Sequence, residues 1–166
     1  EDAHEFARLL LDSFHRADLK IRKLKYTAPA VVQETTVVHQ IFGGYFRNQV
    51  HCPSCKYDSN TYESFLDLSV EIPGGAASLR DVLTHFTAPE VLDKRNKWKC
   101  DNCSKPVCAR KQITVHRAPN VLMVQLKRFS FLQMFGGKLS KRVKLMEADW
   151  HRWAKVTGAP LKGTGI

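Results

Sequence analysis

The sequence predicts an α+β fold, on three observations. The chain opens on a helical pattern in which Phe6, Leu9, Leu10 and Phe14 recur at three- and four-residue spacing. Further on, Leu66, Leu68, Val70 and Ile72 alternate with polar residues, the period-two signature of a half-buried strand. Two Cys-x-x-Cys pairs, Cys52-Pro53-Ser54-Cys55 and Cys100-Asp101-Asn102-Cys103, have the spacing of metal knuckles rather than of a disulfide frame. At 166 residues and 43% apolar content the chain can bury one sizeable core, and no internal repeat divides it.

Taken in order, the first helix carries acids in its first turn, where the positive end of the helix dipole favours them. Because it starts at the first residue, and because Gly158 to Ile166 shows no strand or helix signal, the chain reads as incomplete at both ends. Residues 21–35 read as a basic connector, and Glu34 to Phe42 as a short mixed apolar segment ended by Gly43-Gly44. Tyr45, Arg47, Gln49 and His51 alternate with Phe46 and Val50, a strand leading into the first knuckle. The 66–72 strand ends at Pro73-Gly74-Gly75, after which Ser78 caps a short helix with Leu79, Val82, Leu83 and Phe86 inward and Asp81 at the third helical position. Lys111 to His116 is a further strand, and Val121 to Leu126 is a nearly continuous apolar run of the buried central-strand kind.

The two knuckles supply four thiolates, enough for the closed tetrahedral shell of one structural zinc with ligands Cys52, Cys55, Cys100 and Cys103. The 44 residues between Cys55 and Cys100 exceed the gap of a compact finger, so each knuckle is expected on the tip of its own hairpin. A redox-active pair would follow a strand and open a helix, a setting neither pair has. Cys108 stands outside this spacing and reads as a buried, inert thiol. This cysteine usage fits a reducing compartment, and with no apolar run near bilayer length and no signal-peptide pattern it places the chain inside the cell, in cytoplasm and/or nucleus, away from membranes.

A formal charge of +10 implies an anionic partner, against the plainer reading of solvated loops. The basic residues cluster at Lys20 to Lys25, Lys94 to Lys99 and Lys138 to Lys144, and Lys56, Lys99 and Lys105 flank the thiolates and balance part of their charge.

In this order, the pieces resemble the ubiquitin-specific proteases, papain-like cysteine peptidases that cut after the C-terminal glycine of ubiquitin. The resemblance runs from Glu1 to about Val143. Its carriers are Glu1-Asp2-Ala3-His4-Glu5-Phe6, similar to the family's second characteristic box without its leading glutamines, then His39-Gln40-Ile41-Phe42-Gly43-Gly44-Tyr45 and the two knuckles. Tyr62-x-x-Phe65-Leu66-Asp67-Leu68 and Ala118-Pro119-Asn120-Val121-Leu122-x-x-Gln125-Leu126-Lys127-Arg128-Phe129 complete the set. The resemblance implies a right-hand architecture: a thumb helix over 1–20, zinc-bearing fingers over 45–117 and palm strands over 118–143. A divergent tail over 144–166 is expected to be disordered.

It also implies a monomer whose partners are ubiquitin and ubiquitinated proteins. Asp2 and Glu5, one helical turn apart, become candidates for holding the arginine-bearing tail of ubiquitin, with helix-start stabilisation as their alternative role. Arg128 and Phe129 become candidates for lining the same channel. The family's nucleophile box precedes the Asp-Ala-His-Glu segment and its Gly-His-Tyr box follows the palm, and neither is present. His151 lacks the flanking glycine and tyrosine of that box, and Lys144-Leu145-Met146 stands where the family has a Phe-Pro turn. The expectation is a deubiquitinase fragment with no catalytic residue and no turnover of its own. The alternatives are an inactive ubiquitin-binding relic and a zinc ribbon that binds nucleic acid.

Overall fold

A computed structural model describes residues 2–128 and 142–144. Helix α1 (Ala3–Ile21) is followed by two short helices, α2 (Ala30–Gln33) and α3 (Val37–Phe42), then strands β1 (Gly44–His51), β2 (Asp58–Phe65) and β3 (Asp67–Glu71). Helix α4 (Leu79–Phe86) leads to β4 (Glu90–Val91), the small hairpin β5 (Trp98–Lys99) and β6 (Pro106–Val107), and finally β7 (Arg110–Arg117) and β8 (Met123–Lys127). The main sheet is antiparallel in the order β2-β1-β7-β4, and β3 pairs in parallel with β8. No described helix is long and apolar enough to cross a membrane.

The core lies at one end of the long sheet. Leu68, Val70 and Ile72 from the alternating strand meet Val82 and Leu83 of α4 and Val115 of β7. Phe46 joins them, stacked on Phe65 at 4.0 Å and tilted against Phe86 at 5.8 Å. Helix α4 starts as the sequence predicts: Ser78 Oγ accepts from Asp81 N at 3.3 Å, while the Asp81 carboxylate accepts from the Ala77 and Ser78 amides at 2.9 Å each. Residues 142–144 return to this cap, with Leu79 N donating to Lys144 O at 2.9 Å. Gly44 begins β1 because any larger residue there would press on the Phe65 ring and sit 2.8 Å from Arg117 O.

Four elements differ from the sequence reading. On α1 the buried residues are Leu11, His15 and Leu19, whereas Phe6, Leu9, Leu10 and Phe14 are 68%, 61%, 42% and 56% exposed. The helix turns a stripe about 160° away from its most apolar one toward α3, because that stripe carries the polar groups that knit the two helices together. The stretch read as a connector contains α2, and the mixed segment after it contains α3. The Val121–Leu126 run forms β8, whose side chains are half-buried and whose partner among the described residues is β3 alone. Phe129, His151 and most of the 144–166 tail fall outside the described residues.

Candidate functional site

Two sites stand at opposite ends of the long hairpin. At its tip, Cys52 and Cys55 occupy the β1–β2 turn and Cys100 and Cys103 the β5–β6 turn, each knuckle on its own hairpin. The knuckles close alike: Lys56 N donates to Cys52 O at 2.9 Å and Ser104 N to Cys100 O at 2.8 Å. The return bonds run from Cys52 N to Tyr57 O and from Cys100 N to Lys105 O. Both corners need a left-handed residue, and Lys56 (φ 63°) and Ser104 (φ 56°) fill that role.

The four sulfurs lie within 4.8 Å of one another, with Cys52–Cys103 at 3.9 Å and Cys55–Cys100 at 3.6 Å. A tetrahedral shell with metal–sulfur bonds of about 2.3 Å has edges of about 3.8 Å, so the cluster can hold one metal ion and leaves no coordination position open. Asn102 donates to Cys55 Sγ at 3.6 Å and, with a backbone bond from Tyr57, holds that thiol down at about 6, while burial pushes Cys100 up to about 11. Cys108 is half-buried after β6, and none of the described histidines is hydrogen-bonded to it.

At the other end a cleft of about 900 Å³ separates α1 from the β2–β3 junction; Glu5, Asp12, His15, Phe65, Asp67 and Met123 line it. His4 Nε2 meets Asp67 Oδ2 at 2.8 Å and pins the first turn of α1 to the start of β3. Asp2 is the N-cap of α1: one carboxylate oxygen accepts from His4 N at 3.0 Å and the other from Gln125 of β8 at 3.5 Å. Of the two acids expected at the tail, Glu5 lines the cleft and Asp2 does not. Arg128 follows the end of β8 away from Met123, about 15 Å along the strand, and is not a lining residue.

Behind the cleft lies a polar network that the sequence reading missed. Gln33 Nε2 donates to Tyr26 O at 3.1 Å and Ala28 O at 2.8 Å, so its Oε1 is the acceptor facing His15 Nε2 at 3.3 Å. The Thr36 hydroxyl donates to Gln33 O at 3.0 Å, and its oxygen lies 3.0 Å from His15 Nδ1 and 3.1 Å from His39 Nδ1, so one side chain ties both imidazoles to the turn before α3. Burial holds His39 below its ordinary 6.5, with the neighbouring His15 adding to the effect and Glu34 opposing it. One signal was available in the sequence: His15 sits four residues from both Leu11 and Leu19, a polar residue at a stripe position.

The family described as ubiquitin carboxyl-terminal hydrolase matches residues 1–156, a span that extends beyond Val143. The chain belongs to the ubiquitin carboxyl-terminal hydrolase family. It is 47% identical over 148 residues to a Schizosaccharomyces pombe protein named Probable ubiquitin carboxyl-terminal hydrolase 16, covering 89% of this chain and 31% of that protein. Ubiquitin carboxyl-terminal hydrolase 42 of Homo sapiens is 44% identical over 149 residues, with 89% of this chain and 11% of that protein covered. Among solved structures, one of the SAGA DUB module Ubp8/Sgf11/Sus1/Sgf73 bound to monoubiquitin superposes with a TM-score of 0.73 at 32% identity, over 88% of this chain and 31% of that one. The chain spans less than a third of the length of these relatives. Its fold is the papain-like type of the ubiquitin-specific hydrolases, with α1 as thumb helix and the knuckled hairpins as fingers.

Proposed function

We propose that this chain is the ubiquitin-holding part of a deubiquitinating cysteine peptidase, in which a zinc ion fixes the fingers and the cleft under α1 takes the C-terminal tail of ubiquitin. The observation that carries this reading is the Glu5 carboxylate on the wall of a cleft also lined by Asp12, Asp67 and one arginine, Arg8. Glu5 has no partner among the described residues, and Asp12 and Asp67 line the same space. A cationic tail would meet three carboxylates there, one of them free to form a charge-assisted hydrogen bond. Asp2 acts on the tail through the helix start, because its two oxygens are occupied by His4 N and Gln125. Zinc fits the knuckles because four thiolates in a closed shell are its structural donor set, and the ion there has no open position for chemistry. The reaction itself, thiolate attack on the carbonyl after the last glycine of ubiquitin, requires a partnered histidine. Cys108 has no such partner among the described residues.

Titration of this chain with ubiquitin by calorimetry tests the reading. Glu5→Gln should weaken binding by about 1.5–3 kcal/mol, the scale of a hydrogen bond to a charged group, while leaving the unfolding midpoint near the parent's. Binding by Glu5→Gln at the parent's strength would show that the tail lies elsewhere. Ubiquitin carrying a fluorogenic leaving group should not be turned over by this chain alone, and turnover abolished by Cys108→Ala would overturn the inert role given to that thiol.

A further inference from the structure

From the distribution of charge at the fingers' tip, the geometry points to a second binding surface, for single-stranded nucleic acid, beyond the proposed ubiquitin site. The tip lies about 25 Å from the cleft, the length of β1. Its cations sit on built turns. Leu92 N donates to Ala109 O at 2.9 Å and Trp98 pairs with Val107, which fastens both ends of the loop between them. Within that loop the Asp93 carboxylate accepts from Arg95 N at 2.8 Å and Asn96 N at 2.9 Å, leaving Lys94, Arg95 and Lys97 projecting from an ordered turn. Lys99 and Lys105 flank the second knuckle and Lys56 forms the corner of the first, which the sulfur contacts bring against it. His51 pairs in register with Arg110, so the loop fastened at Ala109 lies level with the knuckles.

All six of these cations are exposed and none has an ion-pair partner among the described residues, whereas the acids between them are engaged. Asp58 is bound to His51 at 2.6 Å, Asp93 to its own loop, and Asp101 accepts from Ser59 Oγ at 3.5 Å. Four thiolates around a divalent ion retain two negative charges, but these lie in the buried and half-buried sulfurs beneath the lysines. An acidic protein face would call for a contiguous apolar core to the contact, and among the described residues the large apolar side chains exposed near these cations are Tyr57, after the first knuckle, and Val91, on β4. A duplex would call for a helix or long ribbon to enter its groove, and the loop that carries Lys94, Arg95 and Lys97 is an irregular turn between the two-residue strands β4 and β5. A flexible phosphate backbone needs only spaced point charges, and exposed Tyr57, next to Lys56, adds a ring face on which a base can stack.

The test is fluorescence anisotropy of the zinc-loaded chain with a labelled oligouridine of about 20 nucleotides, over a salt series. Binding should fall with salt, and Lys94→Gln/Arg95→Gln/Lys97→Gln should weaken it by about tenfold or more and reduce the salt slope by about 2, the share of three phosphate contacts. The control Lys20→Gln/Lys23→Gln/Lys25→Gln removes the same charge from the region around the end of α1 and should bind within about twofold of the parent. Circular dichroism and zinc content identify any variant that has lost its fold, and single Lys97→Gln and Lys105→Gln variants then replace it. Equal loss in the control would reduce the effect to net charge and overturn the assignment. Competition by polyglutamate as effective as by oligouridine would assign the surface to an acidic protein instead, and a duplex bound more tightly than the single strand would overturn the stacking geometry. Ubiquitin titration of the triple variant reads the cleft separately.

Discussion

Lys56 and Ser104 hold the left-handed corners of two knuckles that are otherwise alike, at φ 63° and 56°. A side chain in that region costs roughly 1 kcal/mol relative to glycine, partly offset by the greater freedom glycine gives the unfolded chain. Lys56→Gly and Ser104→Gly should therefore each raise the stability of the metal-loaded chain by about 0.5–1 kcal/mol in denaturant titration, and Lys105→Gly, which relieves no such corner, should lower it. The four-cysteine cluster was legible because Cys-x-x-Cys spacing sets both sulfurs of a pair on one turn. The corners were not, because glycine is the usual mark of a left-handed residue and this sequence places lysine and serine there. Asp2 was legible as an acid at a helix start, yet its choice between capping and ligand contact depends on Gln125, which is distant in sequence and adjacent only once β8 lies beside β3.

Among the elements, α3 is started by a residue that does not belong to it. Thr36 stands at its N-cap but turns its hydroxyl to the imidazoles of His15 and His39, and Val37 N is met at 2.8 Å by Asp18 of α1. This bond is the first cause of the low pKa of Asp18, followed among the lowering effects by the Arg22 contact. Asp18→Ala should lower the thermal midpoint and Asp18→Asn, which keeps an acceptor, should lower it less; equal midpoints would remove the cap from the account. His39 at the same seam makes stability depend on pH. Its folded pKa lies below the 6.5 of the free group, so the unfolded chain takes up the proton first. Stability is full above about 6.5 and falls as pH drops from there toward the lower folded value, and His39→Gln should flatten that limb in denaturant titrations. Capping is legible where its partners are close, as in Ser78 and Asp81, and illegible where a second helix supplies it. Periodicity likewise found the most apolar stripe of α1, but the stripe buried among the described residues is the one whose His15 bonds across to Thr36.

Across the whole molecule, the apolar core and the metal cluster occupy opposite ends of one antiparallel ribbon. Leu68, Val70, Val82, Leu83 and Val115 make the core around β3 and α4, whereas at the tip the buried apolar residues among those described are Cys52, Cys100 and Ala109, two of them from the four-cysteine cluster. The tip thus has little apolar burial of its own, and its order depends on joining two hairpins whose knuckles are separated by 44 residues of chain. Metal removal should consequently act locally before it acts globally. In hydrogen exchange, chelation should abolish amide protection first at Cys52, Lys56, Cys100 and Ser104, whose amides close the knuckles, and then along the His51 end of β1 and the Arg110 end of β7. Protection at Val70 and Leu83 should persist, because their burial is independent of the sulfurs. Cys55→Ser should reproduce the pattern without chelator, since three thiolates cannot close the shell. If chelation instead strips protection from β3 and α4 at the same rate as from the tip, the ribbon unfolds as one cooperative unit and the metal supports the core as well as the fingers.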